Sequence, residues 1–157
     1  MSISSPSETG AQHISLSAKE RADNSIELAI RAFREGFCAR GAAFFSVAEL
    51  KIFVSALRDF PLIGVPFISG GYFDDAGDKI VSENLYISVS QLKTSGLLVM
   101  NVRAFTPHPE YWKKGLGFGG HCSYFLYYEE LKNFADELER LVEEESSYFK
   151  FSNFTNI

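Results

Sequence analysis

Phe44-Phe45-Ser46-Val47-Ala48-Glu49-Leu50-Lys51-Ile52-Phe53 ends a strand and opens a helix within one turn. Ser46 and Glu49 stand at capping-box spacing, where the Ser46 hydroxyl accepts from the Glu49 amide and the Glu49 carboxylate reaches back. Leu50, Phe53, Leu57 and Phe60 then fall on one stripe at helical spacing, and Pro61 stops the helix. That stripe reads as core. The same wording returns at an offset of 81: Phe125-Leu-Tyr-Tyr-Glu-Glu-Leu-Lys-Asn-Phe134 matches at Phe, Glu, Leu, Lys and Phe, and Leu57 aligns with Leu138. Equal packing problems selecting equal solutions explain the echo, or else the chain carries a duplicated unit.

Outward from this stretch the signals are those of strands. Ile26, Leu28, Ile30 and Ala32 alternate with Glu27, Ala29, Arg31 and Phe33, a period of two that marks a half-buried strand. Glu35-Gly36 breaks the run, and Phe37 to Phe45 returns as a hairpin. Leu85, Ile87 and Val89 alternate likewise, Lys93-Thr-Ser-Gly96 turns the chain, and Leu98 to Ala104 comes back as a second hairpin. His13–Ser17, Val65–Ile68 and His121–Tyr127 read as shorter strands. A second helix is expected from Tyr128 to Glu145, with Leu131, Phe134, Leu138, Leu141 and Val142 inward. The fold class expected is α+β: an antiparallel sheet of five to six strands with two helices packed on one face. Residues 1–11, rich in Ser, form a flexible lead; 12–147 form a single α+β domain; 148–157 form an aromatic tail that packs on something.

At 157 residues there is room for one core, and 15 Phe with 7 Tyr make rings its main material. The formal charge of −5 argues against a nucleic-acid partner, which requires a basic footprint. Cys38 and Cys122 lie far apart in apolar segments, the pattern of two reduced buried thiols. The N-terminal residues lack the basic and apolar regions of a secretory signal, and no apolar run approaches the ~20 residues of a membrane span. The expectation is therefore a cytoplasmic protein without a membrane partner.

Candidate chemistry is sparse. Gly115-Leu-Gly-Phe-Gly-Gly120, preceded by Lys113-Lys114, matches the dinucleotide pattern by letter. A phosphate loop must follow a strand and open a helix, whereas here a Pro-containing loop precedes and a strand follows, so the segment reads as a flexible turn. Asp74-Asp-Ala-Gly-Asp78 lacks the closing Glu of a calcium loop and reads as an Asx turn. His13, His108 and His121 show no metal-ligand spacing, and His121 and Cys122, adjacent on a strand, face opposite ways. No catalytic residues, no metal ligands and no cofactors are expected. Charge is the strongest feature outside the core: Glu129, Glu130, Asp136, Glu137, Glu139, Glu143, Glu144 and Glu145 face only Lys132 and Arg140. Three of these glutamates end the helix, where the macrodipole disfavours anions, a cost consistent with a basic partner. Partner-binding residues are assigned as Glu137, Glu143, Glu144 and Glu145, with Tyr111 and Trp112 as aromatic anchors on the 107–120 loop.

From Ala42 to Val142 the order of elements resembles the WapI-type immunity proteins of bacterial polymorphic toxin systems. The resemblance runs through Glu49-Leu50, Phe53 and Leu57, then Gly64-Val-Pro-Phe67, the Leu85–Val89 and Leu98–Ala104 hairpin, and a last strand with an acidic helix. The shared features are apolar positions, and the Gly-rich loop at 107–120 departs from the pattern. The resemblance implies a non-enzymatic immunity protein that neutralises a cognate toxin, its partner a basic toxin domain. The alternative class is a small-ligand-binding module or enzyme that uses the 107–120 loop. A third is a scaffold subunit that forms a homodimer through its aromatic tail.

Overall fold

The computed structural model describes residues 12–73 and 80–156. The lead expected at 1–11 and the turn expected at Asp74–Asp78 lie outside these residues. In chain order the elements are β1 (Gln12–Ala22), β2 (Ser25–Arg34), β3 (Phe37–Ser46), α1 (Val47–Leu57), β4 (Phe67–Phe73), β5 (Ile80–Gln91), β6 (Leu98–Pro107), β7 (Gly117–Leu126), α2 (Tyr128–Val142) and β8 (Tyr148–Phe151). A 3-10 turn, Trp112–Lys114, stands between β6 and β7.

Both long hairpins form where the alternation placed them, β2 with β3 and β5 with β6. The capping box is also present. The Glu49 amide donates to Ser46 Oγ at 3.0 Å, and the Ser46 amide donates to Glu49 Oε2 at 3.0 Å. The expected single sheet of five or six strands is instead two antiparallel sheets of four, ordered β3-β2-β1-β8 and β4-β5-β6-β7. Alternation fixes which face of each strand is buried but not which strands pair, and the unexpected pairings are long-range ones. β1 pairs with β8 at the far end of the chain. The aromatic tail is thus a sheet edge, continued by Phe154 stacked 4.4 Å from Tyr124.

Each half of the chain follows one plan, β-β-β-α-β, and gives its last strand to the sheet of the other half. The registers agree row by row. Gly41, Ile30, Leu16 and Phe149 stand in line across the first sheet. Cys122, Val102, Ile87 and Ile68 stand in line across the second. The offsets are 81 (41 to 122), 72 (30 to 102), 71 (16 to 87) and 81 (68 to 149). Even the bonds entering the swapped strands correspond: the Ala18 amide donates to the Ser147 carbonyl at 2.9 Å and the Val89 amide to the Pro66 carbonyl at 3.1 Å. The sequence echo is thus part of a two-fold repeat that extends over eight strands.

One apolar core joins both sheets and both helices, with Phe134, Leu131, Leu138, Leu28, Ile87 and Met100 fully enclosed. β3 lies against the second sheet. At Gly41 an added Cβ would stand 2.9 Å from the Phe105 amide nitrogen and nearer still to the Asn84 carbonyl oxygen, so only glycine permits this approach. Tyr124, buried on β7, sends its hydroxyl to the Phe33 carbonyl at 3.1 Å and the His13 carbonyl at 3.3 Å, tying the second sheet to the first.

Candidate functional site

The acidic helix is less bare than its sequence. Arg58, at the C-terminal cap of α1, places Nη2 2.7 Å from Asp136 Oδ1 and 2.6 Å from Glu139 Oε2. These two bonds lift the guanidinium pKa further above its usual value. Lys51 stands 3.4 Å from Glu143, while Arg140 reaches Glu137 at 3.8 Å and Glu145 at 3.9 Å. Of the four glutamates assigned to a partner, Glu137, Glu143 and Glu145 therefore have cations within reach. Glu144 sits in the left-handed region (φ 65°) just past the helix and is exposed. The cations from α1 were invisible to a reading of α2 alone, because i, i+4 bookkeeping counts one helix at a time.

Tyr111 and Trp112 occupy the turn between β6 and β7. Trp112 is half-buried against Tyr72 of β4, ring centroids 4.9 Å apart, and Tyr111 lies 4.9 Å from His108. The two aromatics and the four glutamates thus stand on different elements, with no ring or polar contact between the groups. The Gly-rich segment beside them is turn only at its start, where Gly115 takes the left-handed conformation (φ 74°); Gly117, Gly119 and Gly120 belong to β7 and pair with Pro107, Phe105 and Ala104 of β6. A Cβ at Gly119 would meet the Phe105 backbone at 2.7 Å, so close packing accounts for the glycine. Cys122 is buried as expected and its thiol pKa is pushed up by that burial, but Cys38 is exposed near the start of edge strand β3.

The outer face of the second sheet carries a polar row. Ser123 Oγ donates to Asn101 Oδ1 at 2.7 Å, and His121 Nε2 lies 3.3 Å from the same oxygen. Ser123 Oγ also lies 3.4 Å from His121 Nε2, so hydroxyl, amide and imidazole form one polar cluster. Glu83 bridges Ser69 at 2.6 Å and Arg103 at 2.8 Å, with the Arg103 guanidinium 3.8 Å over the Tyr86 ring. Among the described residues no three metal-ligating side chains converge, and no helix is long and apolar enough to cross a membrane.

A feature that the sequence reading passed over is the connector from α1 to β4. Phe60 is 79 % exposed, Ile63 79 %, Val65 53 % and Phe67 60 %: four large apolar side chains bared within eight residues. Ile52 on α1 is also bare. The connector is tied to the start of α2: Phe60 meets Tyr128 edge-on at 4.7 Å and the Leu62 amide donates to the Tyr128 hydroxyl at 3.1 Å. Phe60 and Pro61 share a shallow depression with Tyr127, Tyr128 and Glu129 at the start of α2. The signal was present in the sequence as Phe60-Pro-Leu-Ile-Gly-Val-Pro-Phe67, eight residues without a charge in a loop. Compared with known proteins, the chain matches no family model, no curated protein and no solved structure.

Proposed function

We propose that this chain is a non-enzymatic binding protein that docks on a protein partner through the Phe60–Phe67 connector. The observation that carries this reading is the density of bared apolar side chains on that connector, four within eight residues, two of them more exposed than any other large apolar residue described. Apolar side chains gathered this densely at a surface mark sites of protein association. The two ties to Tyr128 add to the case, because a segment already held by contacts has less entropy to lose on docking. The start of α2, with Glu129 in the same depression and Glu130 beside it, supplies an acidic rim. An apolar centre with an acidic rim suits a partner that is apolar at its centre and basic around it. This is the chemistry of the basic toxin domain implied by the resemblance to WapI-type immunity proteins, and we take neutralisation of such a toxin as the biological role.

The test is affinity capture from a lysate of the protein's own host with a salt-gradient wash. Three baits are compared: the unaltered chain, the Ile63→Asp/Phe67→Asp variant, and the Glu129→Lys variant. The unaltered chain should retain one basic polypeptide that elutes as salt rises, and the aspartate variant should lose it. The lysine variant should retain it less well at low salt. Expressed alone, the captured polypeptide should arrest growth of a surrogate host, and co-expression of the chain should relieve the arrest. Equal retention by the aspartate variant would sink the docking surface, and a harmless polypeptide would sink the toxin role.

A further inference from the structure

The two-fold repeat lets one sheet serve as the reference for the other. On the outer face of the second sheet, Ser69, Tyr86, Arg103 and His121 stand in one row across β4, β5, β6 and β7. The corresponding row of the first sheet, on β8, β1, β2 and β3, is Lys150, Ser15, Arg31 and Arg40. Arg103 has its needs met from within the chain: the Glu83 carboxylate at 2.8 Å and the Tyr86 ring at 3.8 Å below the guanidinium. Arg31, its counterpart, has neither. Serine replaces the tyrosine, and arginine and lysine replace the histidine and the outer serine. Among the described residues Arg31, Arg40, Lys19 and Lys150 form no ion pair. Among the described residues, the acids of that face are Glu20 and Glu27, which stand opposite each other across β1 and β2 and form no ion pair with these cations.

The face is also concave. A cleft of about 400 Å³ runs over it, lined among others by Lys19, Arg31, Arg40, Tyr72, Pro107 and Tyr148. That volume lies within the range of small-molecule sites. Converging unpaired cations in a cleft focus the field and raise the local concentration of anions. The same field acts on His13, in the next row of this face, whose pKa is lowered by burial and by Lys150 and Arg31.

We propose that this cleft binds a small organic anion, a planar ring bearing a carboxylate or a phosphate, which supplies Arg31 with what Glu83 and Tyr86 supply to Arg103. Arg31 and Arg40 hold the anionic group by charge-assisted hydrogen bonds. The ring lies over the Arg31 guanidinium in the space that Ser15 leaves open, with Tyr72 and Tyr148 at its edges. This site is separate from the protein-docking connector and does not depend on it.

The probes are phenyl phosphate and benzoate, set against inorganic phosphate and acetate, and binding is read by amide NMR shifts and by Trp112 fluorescence. Trp112 is the chain's single tryptophan and packs on Tyr72, a wall of the cleft. At least one ring-bearing probe should bind saturably, about tenfold tighter than its ring-free partner, with shifts centred on residues 15–19, 29–31 and 40–42. Binding of phenyl phosphate alone would identify a phosphate ligand, and of benzoate alone a carboxylate. Arg31→Gln and Arg40→Gln, both at exposed positions, should each weaken binding about tenfold, while Arg103→Gln leaves it unchanged. Ala29→Glu, which sets a carboxylate beside Arg31 on the same face, should abolish it. No saturable shift with either ring-bearing probe up to about 10 mM, or binding that survives both glutamine variants, overturns the proposal.

Discussion

Replacing Arg58 by Gln removes two of the ion pairs that join the two helices and leaves Lys51–Glu143 in place, and the geometry sets the size of the effect. One guanidinium nitrogen serves Asp136 at 2.7 Å and Glu139 at 2.6 Å, and the Arg58 side chain is 33 % exposed, against 50 % and 49 % for its partners. Partial exposure puts each pair near the upper end of the surface range, about 0.5 to 1 kcal/mol, and far below a buried ion pair. Loss of both, with Asp136 and Glu139 left as like charges three residues apart, gives about 1 to 2 kcal/mol. For a chain of this size that corresponds to a fall in Tm of about 3 to 6 °C. The assay is thermal unfolding by circular dichroism at low salt and again near 1 M salt, where screening shortens to about 3 Å. The gap between the two proteins should narrow at high salt. The further change of Asp136→Asn and Glu139→Gln in the Arg58→Gln background should recover part of the loss. An unaltered melting temperature at low salt, or a gap indifferent to salt, would refute the reasoning that α2's acids are bound up with α1.

Stability should fall between pH 7.5 and 5.5 because of His13, whose folded pKa lies below its unfolded 6.5. The unfolded chain takes up the proton first, so stability is full above about 6.5 and is lost as pH drops toward the folded pKa; His13→Gln should flatten this slope in denaturant titrations. One thiol, Cys38, should react at once with an aromatic disulfide reagent, and Cys122 only when urea opens the fold; two fast thiols would contradict the burial of Cys122. Tyr124→Phe should cost about 1 to 2 kcal/mol in urea unfolding, because a buried hydroxyl that ties β7 to β1 and β2 is lost. Gly41→Ala should cost at least about 1 to 3 kcal/mol, since β3 must move off the backbone of Asn84 and Phe105, and a neutral result would show that the strand approach is looser.

The local signals in this chain were faithful and the long-range ones were silent. Alternation in Ile26–Phe33 and Leu85–Val89 named the hairpins, and Ser46 with Glu49 named the start of α1, because these depend on neighbours a few residues away. Nothing local in Tyr148–Phe151 says that it will pair with β1, more than a hundred residues earlier, so one sheet was expected where two exist. The Phe44–Phe53 echo at an offset of 81 was the trace of the repeat that organises both sheets. Its extent was hidden because the offset shifts to 71 and 72 in the first two strands of each half. The acidic run was legible as composition but not as electrostatics, since Arg58 and Lys51 reach it from another helix. The apolar connector was in plain view as Phe60 to Phe67, and the cations of the first sheet become a group only when Arg31 and Arg40 are set side by side by pairing.

The central claim, that the Phe60–Phe67 connector is where a protein partner docks, is tested most directly by hydrogen exchange of the chain alone and with the captured polypeptide bound. The amides of residues 60–67 and the first turn of α2 should slow on binding, with β1 and β2 unaffected. Protection confined to the end of α2 around Glu143 to Glu145, or to the Trp112 turn, with the connector exchanging as in the free chain, would contradict it.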